Sequence, residues 1–240
     1  MSKTILDESI LADGDFPALA GITKNKAGDF SITQEKGAEL LLNQLLTKEL
    51  TGNLAYRKLV AQHGAEIHDV NECKEWQNGD GLFSFRPDFE NKKTCGPVLI
   101  SLTADCPTIC FSTLDQRFIA IAHSGWRGTE KKIVPNMLSV IKKLGIDYAK
   151  VRAVIFPGIC GDCYQVEEDV GKKFFHFKNG YLNLRLEIFK QLNTCLDALS
   201  ISTVSYCSYH SKGLDGHGLF SSFRLNGTSF RNAVFIARKV

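Results

Sequence analysis

Three apolar runs crowded into residues 98–122 constrain this chain more than any other feature: Val98–Thr103, Thr108–Ser112 and Phe118–Ala122. Stretches such as Val-Leu-Ile-Ser-Leu and Phe-Ile-Ala-Ile-Ala carry no polar alternation, so each reads as a strand buried on both faces, covered by helices or by a second sheet. The runs on either side of Cys106 are close enough in sequence to be neighbouring strands. Further strands are expected at Ala18–Thr23, Arg57–Gln62, Gly81–Phe85, Val151–Phe156, Thr203–Ser208 and Asn232–Ala237. Helical spacing of apolar residues predicts helices at Gly37–Leu50, Glu130–Leu144 (with Gly145 as its C-cap), Val166–Phe175 and Leu184–Leu199. Most of the helices follow residue 130. The expectation is an α+β fold, a single domain over residues 1–240 built of layered mixed β-sheets flanked by helices. No repeat or low-complexity linker divides the chain, and 240 residues suffice to bury a core without disulfide staples.

Composition narrows the function classes. A net charge of +3 is too mild for a dedicated nucleic-acid binder. Residues 1–8 are acidic where a signal peptide would be basic, and no apolar run is long enough to cross a bilayer, so a cytoplasmic protein is expected, bound to neither nucleic acid nor membrane. In that compartment the eight cysteines stay reduced, as buried small hydrophobes, metal ligands or nucleophiles.

Three strand-like runs end in a residue that can bind a metal. Leu59–Gln62 leads into His63, Leu99–Asp105 into Cys106, and Phe118–Ala122 into His123. Strand ends are held by a rigid sheet yet open to a cleft, which is where a reactive constellation is best placed. Two imidazoles and a thiolate form a zinc set with a fourth position left for water or substrate. Asp105, beside Cys106, could orient a ligand imidazole. The competing reading is a core thiol and two hydrogen-bonded imidazoles, and spacing alone leaves both open.

The stretches Leu102-Thr103-Ala104-Asp105-Cys106-Pro107 and Ala122-His123-Ser124-Gly125-Trp126-Arg127-Gly128-Thr129 resemble the laccase-domain, or polyphenol oxidase-like (YfiH-like), family. Gln62-His63-Gly64, Phe156–Cys160, Cys163–Val166 and Phe220–Arg224 with Arg231 extend the similarity from about Gly21 to Ala237. Members of that family are mostly described as zinc-dependent purine nucleoside phosphorylases. The resemblance implies His63, Cys106 and His123 as zinc ligands. It also implies purine nucleosides (adenosine, inosine, guanosine, methylthioadenosine) and inorganic phosphate as substrates, with an adenosine deaminase side activity. One departure stands out: where the family carries an Arg before a Gly-Gly-Val-Ser loop, this chain has Lys24 in Thr23–Ser31, a point charge in place of a bidentate fork. Six histidines with no His-x-His pair are too few for a multicopper oxidase, although copper would enter a His/Cys site readily.

Catalytic roles on this reading fall to Cys106, His123 and Asp105, with His217 a further candidate proton donor. The phosphate would be gripped by Arg127, Arg224, Arg231 and Lys24, in that order. Thr129 is expected to N-cap the helix after the His123 strand and so make an anion site; the alternative is an ordinary capped turn. Cys160-Gly161-Asp162-Cys163 lacks a second Cys pair at ribbon spacing, and packing is the expected role of the seven cysteines other than Cys106. Lys172–Lys178 reads as an amphipathic helix end, and His68 and His210 have no recognisable partner. Two rival functions remain: a metal-free cysteine hydrolase or deamidase with Cys106 as nucleophile and His123 as base, and a non-enzymatic zinc-stabilised factor in cell-wall fidelity.

Overall fold

The runs on either side of Cys106, expected as neighbouring strands, part into different sheets: Pro97–Thr103 joins one, and Thr108–Thr113 joins the other, where it pairs with Phe118–His123. In the computed structural model, which describes residues 10–30, 43, 46, 50, 54–88 and 96–239, Thr108 lies opposite His123 and Ser112 opposite Ile119 in an antiparallel ladder. The described strands are β1 (Ile10–Ala12), β2 (Leu19–Thr23), β3 (Ala55–Val60), β4 (Ile67–Asp69), β5 (Trp76–Asn78), β6 (Gly81–Phe85), β7 (Pro97–Thr103), β8 (Thr108–Thr113), β9 (Phe118–His123), β10 (Val151–Ile155), β11 (Phe177–Lys178), β12 (Tyr181–Leu182), β13 (Ile201–Thr203) and β14 (Asn232–Ala237). They form two six-stranded sheets, ordered β1-β2-β14-β7-β3-β5 and β13-β10-β8-β9-β6-β4, plus the small β11-β12 ribbon. Both large sheets are mixed: β3 runs parallel to β7 and β5, whereas β14 is antiparallel to β7 and β2. In the second sheet β10 is antiparallel to β8 and parallel to β13.

Alternate residues of β9 serve two cores, which explains the absence of polar alternation. Ile119 and Ile121 pack with Leu59, Leu99, Val234 and Ile236 between the sheets. Phe118, Ala120 and Ala122 face the other way, onto Ile133, Met137 and Ile188 of the helical layer. The outer face of the first sheet has its own cluster, in which Val98, Ile100 and Phe235 meet Leu46 and Leu50. The expected α+β architecture of layered mixed sheets and helices is what the chain forms.

The helices lying wholly within the described residues are α1 (Trp126–Glu130), α2 (Ile133–Lys143), α3 (Glu168–Gly171), α4 (Leu184–Leu192) and α5 (Phe223–Asn226). The expected helix over 37–50 falls, apart from residues 43, 46 and 50, outside the described residues. The expected helix Glu130–Leu144 is not continuous. Lys132 takes a left-handed turn (φ 67°) and the helix restarts at Ile133, which puts Pro135 in the first turn, where its missing N–H costs nothing. The segment expected as Val166–Phe175 keeps only the single turn α3. The long helix expected to Leu199 ends at Leu192, and Asp197 then caps a separate 3₁₀ turn at Ala198–Ser200. The strand expected at Thr203–Ser208 pairs instead over Ile201–Thr203, because the chain then turns at Cys207, whose N–H donates to Ser211 Oγ at 2.8 Å. Gly145 caps α2 at φ 70°, as expected.

Truncating Ile121, fully buried between the sheets, should cost about 2–5 kcal/mol in an Ile121→Ala variant, from lost burial plus the cavity left behind. Urea unfolding measures it, and a loss below about 1 kcal/mol would contradict this placement of the core.

Candidate active site

His63, Cys106 and His123 leave the sheets at one end of the molecule, and their ligand atoms all lie within 4.8 Å of one another. His123 is the last residue of β9. Cys106 sits in the turn between β7 and β8, opposite it by register, because Thr108 pairs with His123. That turn is closed by Thr103 Oγ1 donating to the Cys106 carbonyl at 2.6 Å and by Ser124 N–H donating to Pro107 O at 2.9 Å. His63 lies just beyond β3, with a left-handed backbone (φ 54°), and its ring stands edge-on to that of His123 with centroids 5.2 Å apart.

One carboxylate that sequence reasoning missed organises two of the three. Asp80, fully buried at the start of β6, accepts the N–H of His63 at 3.0 Å and of Gly64 at 2.7 Å, which holds the left-handed turn. Its Oδ1 also lies 3.0 Å from His123 Nδ1. With Nδ1 engaged, Nε2 is the nitrogen left to face Cys106. Such a carboxylate–imidazole contact fixes ring orientation and raises the basicity of a metal-binding histidine. In the sequence, Gly79-Asp80-Gly81 reads as a turn, and only the 43-residue separation from His123 being closed in space reveals its role. The orienting role expected of Asp105 is therefore corrected. Its Oδ1 accepts from Ser208 Oγ at 2.6 Å and its Oδ2 from the Arg224 N–H at 2.7 Å. Asp105 braces the opposite wall, from a left-handed residue at φ 80°.

Electrostatically the triad is tightly linked. Burial would push the Cys106 thiol up, but His123 and then His63 bring it down to about 6. Burial would push His123 down, yet Cys106 and Asp80 carry it up to about 9. At neutral pH the bare pair is thus a thiolate facing an imidazolium, and a cation entering the triad displaces a proton. Gly125 permits the close packing: a Cβ there would stand 2.9 Å from Cys106 Sγ.

The triad opens into a cleft of about 570 Å³, also lined by Asp105, Tyr164, Phe223, Arg224 and Arg231. Arg224 packs its guanidinium 5.2 Å from the Tyr164 ring centre and donates to Gln165 O at 2.8 Å. Arg231 donates to the carbonyls of Thr228 and Phe230 at 3.1 and 2.9 Å. Phe223 is 60% exposed, an aromatic face turned outward at the cleft mouth. The other two expected anion binders do not line this cleft. Arg127, ranked first from sequence, lies over the Trp126 ring at 4.3 Å, and Lys24 precedes a 3₁₀ turn whose Asn25 is bonded to Gly218 and Leu219. His217 is exposed, in the loop beyond. Thr129 is no N-cap: Gly125 occupies that position, and the Thr129 hydroxyl donates back to Gly125 O at 2.9 Å from inside α1.

Residues 35–239 match the family described as multi-copper polyphenol oxidoreductase laccase. A purine nucleoside phosphorylase of Deinococcus radiodurans is 30% identical over 119 residues, which cover 50% of this chain and 44% of that protein. The adenosine deaminase RL5, from an unknown prokaryotic organism, is 32% identical over 89 residues, 37% of this chain and 33% of its own length. The alignments thus span less than half the length of these curated relatives. In fold, the hypothetical protein YfiH of Bacillus licheniformis superposes with a TM-score of 0.81 at 22% identity, covering 99% of both chains. YlmD of Geobacillus stearothermophilus gives 0.79, also at 22% identity and 99% coverage of both. By the extent of the family match, the chain belongs to the polyphenol oxidoreductase laccase family.

Replacing Asp80 with Asn removes the charge that holds His123 while keeping the shape. Asp80→Asn should weaken metal binding at the triad about 10- to 100-fold, measured by chelator competition. Unchanged affinity would mean that Asp80 serves the fold alone.

Proposed function

From membership in this family and the cleft together, we propose that the chain is a zinc-dependent purine nucleoside phosphorylase. It uses inorganic phosphate to displace the base from adenosine, inosine, guanosine or methylthioadenosine. The observation that carries this reading is the meeting, in one cleft, of a two-imidazole, one-thiolate ligand set with two arginines and an outward-facing aromatic ring. His63, Cys106 and His123 would hold the ion; this donor set suits zinc and leaves a coordination position for substrate. When bound, zinc supplies Lewis-acid polarisation of a substrate oxygen.

The chain's own residues do the rest. Arg224 and Arg231 offer forked N–H donors to the phosphate and align it for attack. A phosphate oxygen forms the bond to ribose C1′ as the C1′–N bond to the purine breaks, and the electron pair leaves with the base. Phe223 supplies an aromatic face for that base. Tyr164 presents a protonated phenol on the cleft wall, since burial and then the Cys106 charge push it up to about 12. Asp105 holds the Arg224 backbone and Ser208 in place. The relative named as an adenosine deaminase favours a second activity in the same cleft, with water as the attacking group and ammonia as product.

The test is a nucleoside panel assayed for free base and ribose 1-phosphate, with and without phosphate, using zinc-loaded protein. Base release should require phosphate and disappear in Cys106→Ser. Arg231→Ala should raise KM for phosphate about 10- to 100-fold, the loss of a charge-assisted contact of about 1.5–3 kcal/mol. Ammonia release from adenosine without phosphate, and no base release with it, would replace phosphorolysis by deamination. Neither product from any nucleoside would sink the enzyme reading.

A further inference from the structure

A second cluster of ligand atoms lies on the far side of the Arg224–Tyr164 wall. Cys160 Sγ, Cys163 Sγ, Cys207 Sγ and one ring nitrogen of His210 all fall within 4.8 Å of one another. They come from two short segments with the same spacing, Cys160-Gly161-Asp162-Cys163 and Cys207-Ser208-Tyr209-His210. Each segment is a reverse turn. The N–H groups of Cys163 and Tyr164 return to Cys160 O at 3.1 and 3.0 Å, and that of Ser211 to Cys207 O at 3.1 Å. The turns are joined by the Gly158–Cys207 bridge and by the Cys160 N–H donating to Cys207 Sγ at 3.2 Å.

The donor geometry fits a tetrahedral ion. With Zn–S about 2.3 Å and Zn–N about 2.0–2.1 Å, a sulfur and a nitrogen on one zinc stand about 3.6 Å apart. His210 Nδ1 is 3.2 Å from Cys163 Sγ and 3.9 Å from Cys160 Sγ, on either side of that spacing. Cys160 and Cys207 are buried and His210 is exposed, so the site would be closed on the protein side and its imidazole would form the rim.

We propose that Cys160, Cys163, Cys207 and His210 form a structural zinc site, separate from the cleft triad, that clamps the anion-binding wall of the cleft. Three thiolates and an imidazole complete a four-coordinate closed set with no position for substrate. The residues that follow two of these ligands connect to the cleft wall. Tyr164 follows Cys163 and packs against Arg224, while Ser208 follows Cys207 and donates to Asp105, which in turn holds the Arg224 N–H. The ion thus ties together the two turns on which that wall is mounted. Cys160 and Cys163, expected from sequence to be packing residues, acquire a partner pair in which the second member is a histidine.

The site can be tested independently of the cleft. Full-length Cys106→Ala protein, purified under reducing conditions without chelator, should retain one equivalent of zinc by elemental analysis, and Cys106→Ala/Cys163→Ser should retain none. His210→Ala at the exposed rim should release its zinc at a lower chelator concentration than the Cys106→Ala parent. If the cysteine variants fail to fold, cobalt substitution of the wild type decides: the sulfur-to-cobalt absorption should correspond to four thiolates per chain, three from this site and one from the cleft. Folded Cys106→Ala protein without zinc, a cobalt spectrum of one thiolate, or a Cys160–Cys163 disulfide under those conditions would overturn the proposal. Loss of cleft zinc alone would count against the proposed phosphorylase and leave this site standing.

Discussion

Burial of the second sheet on both faces governs where chemistry can sit in this chain. β8, β9 and β10 lie between the inter-sheet core and the helical layer; nearly every side chain they carry is buried, and most are apolar. A charged or metal-binding group placed within such strands would have to give up its hydration without compensation. Polar function is therefore displaced to strand ends, where the chain leaves the sheet but the ladder still fixes its position. Cys106 and His123 occupy such ends in adjacent strands, and His63 follows the end of β3 in the facing sheet. The apolar runs and the ligand triad are two consequences of one packing arrangement.

A strand end alone leaves the His123 imidazole free to turn, and Asp80 removes that freedom. Its carboxylate is buried, a position that costs several kcal/mol unless each oxygen is satisfied. The two backbone N–H groups at His63 and Gly64 and the His123 ring satisfy it. Burial would raise its pKa, but the His123 hydrogen bond and the backbone donors outweigh this and hold it below the ordinary carboxylate range. One ionised group thereby sets both a backbone turn and a ring orientation, and couples the floor of the cleft to the start of β6.

Sequence pattern captured the long strands because their burial is two-sided and their runs are uninterrupted. It missed β4 and β5, whose residues, such as His68, Gln77 and Asn78, look like loop, since their pairing is imposed by β6 and β3. The triad was legible because all three residues follow recognisable strands. Asp80 was not, because His123 is brought to it only by the β6–β9 pairing. The positions of the arginines were illegible for a related reason. Arg127 is near the triad in sequence, but the short helix α1 turns it onto Trp126, while Arg224 and Arg231 arrive from the far end of the chain. Cys207-x-x-His210 does not show in the cysteine pattern, because half of that pair is a histidine.

The family description speaks of several coppers, and the fate of each histidine bears on that chemistry. His63 and His123 belong to the cleft, His210 faces the Cys160–Cys163 turn, and His176 Nδ1 lies 2.8 Å from Glu187. His68 packs beside Gly79 with its Nε2 3.9 Å from Glu66, and His217 is on an exposed loop. These imidazoles are dispersed over separate neighbourhoods, whereas a multicopper cluster needs many converging on one cavity. A single blue-copper centre would use the same two histidines and one cysteine, but its usual weak axial ligand is a methionine. Met137 is fully enclosed among the apolar residues of the helical layer. What converges on the triad instead is Asp80 behind it and an arginine-lined cleft in front of it, a setting suited to binding and polarising an anionic or oxygen-bearing substrate.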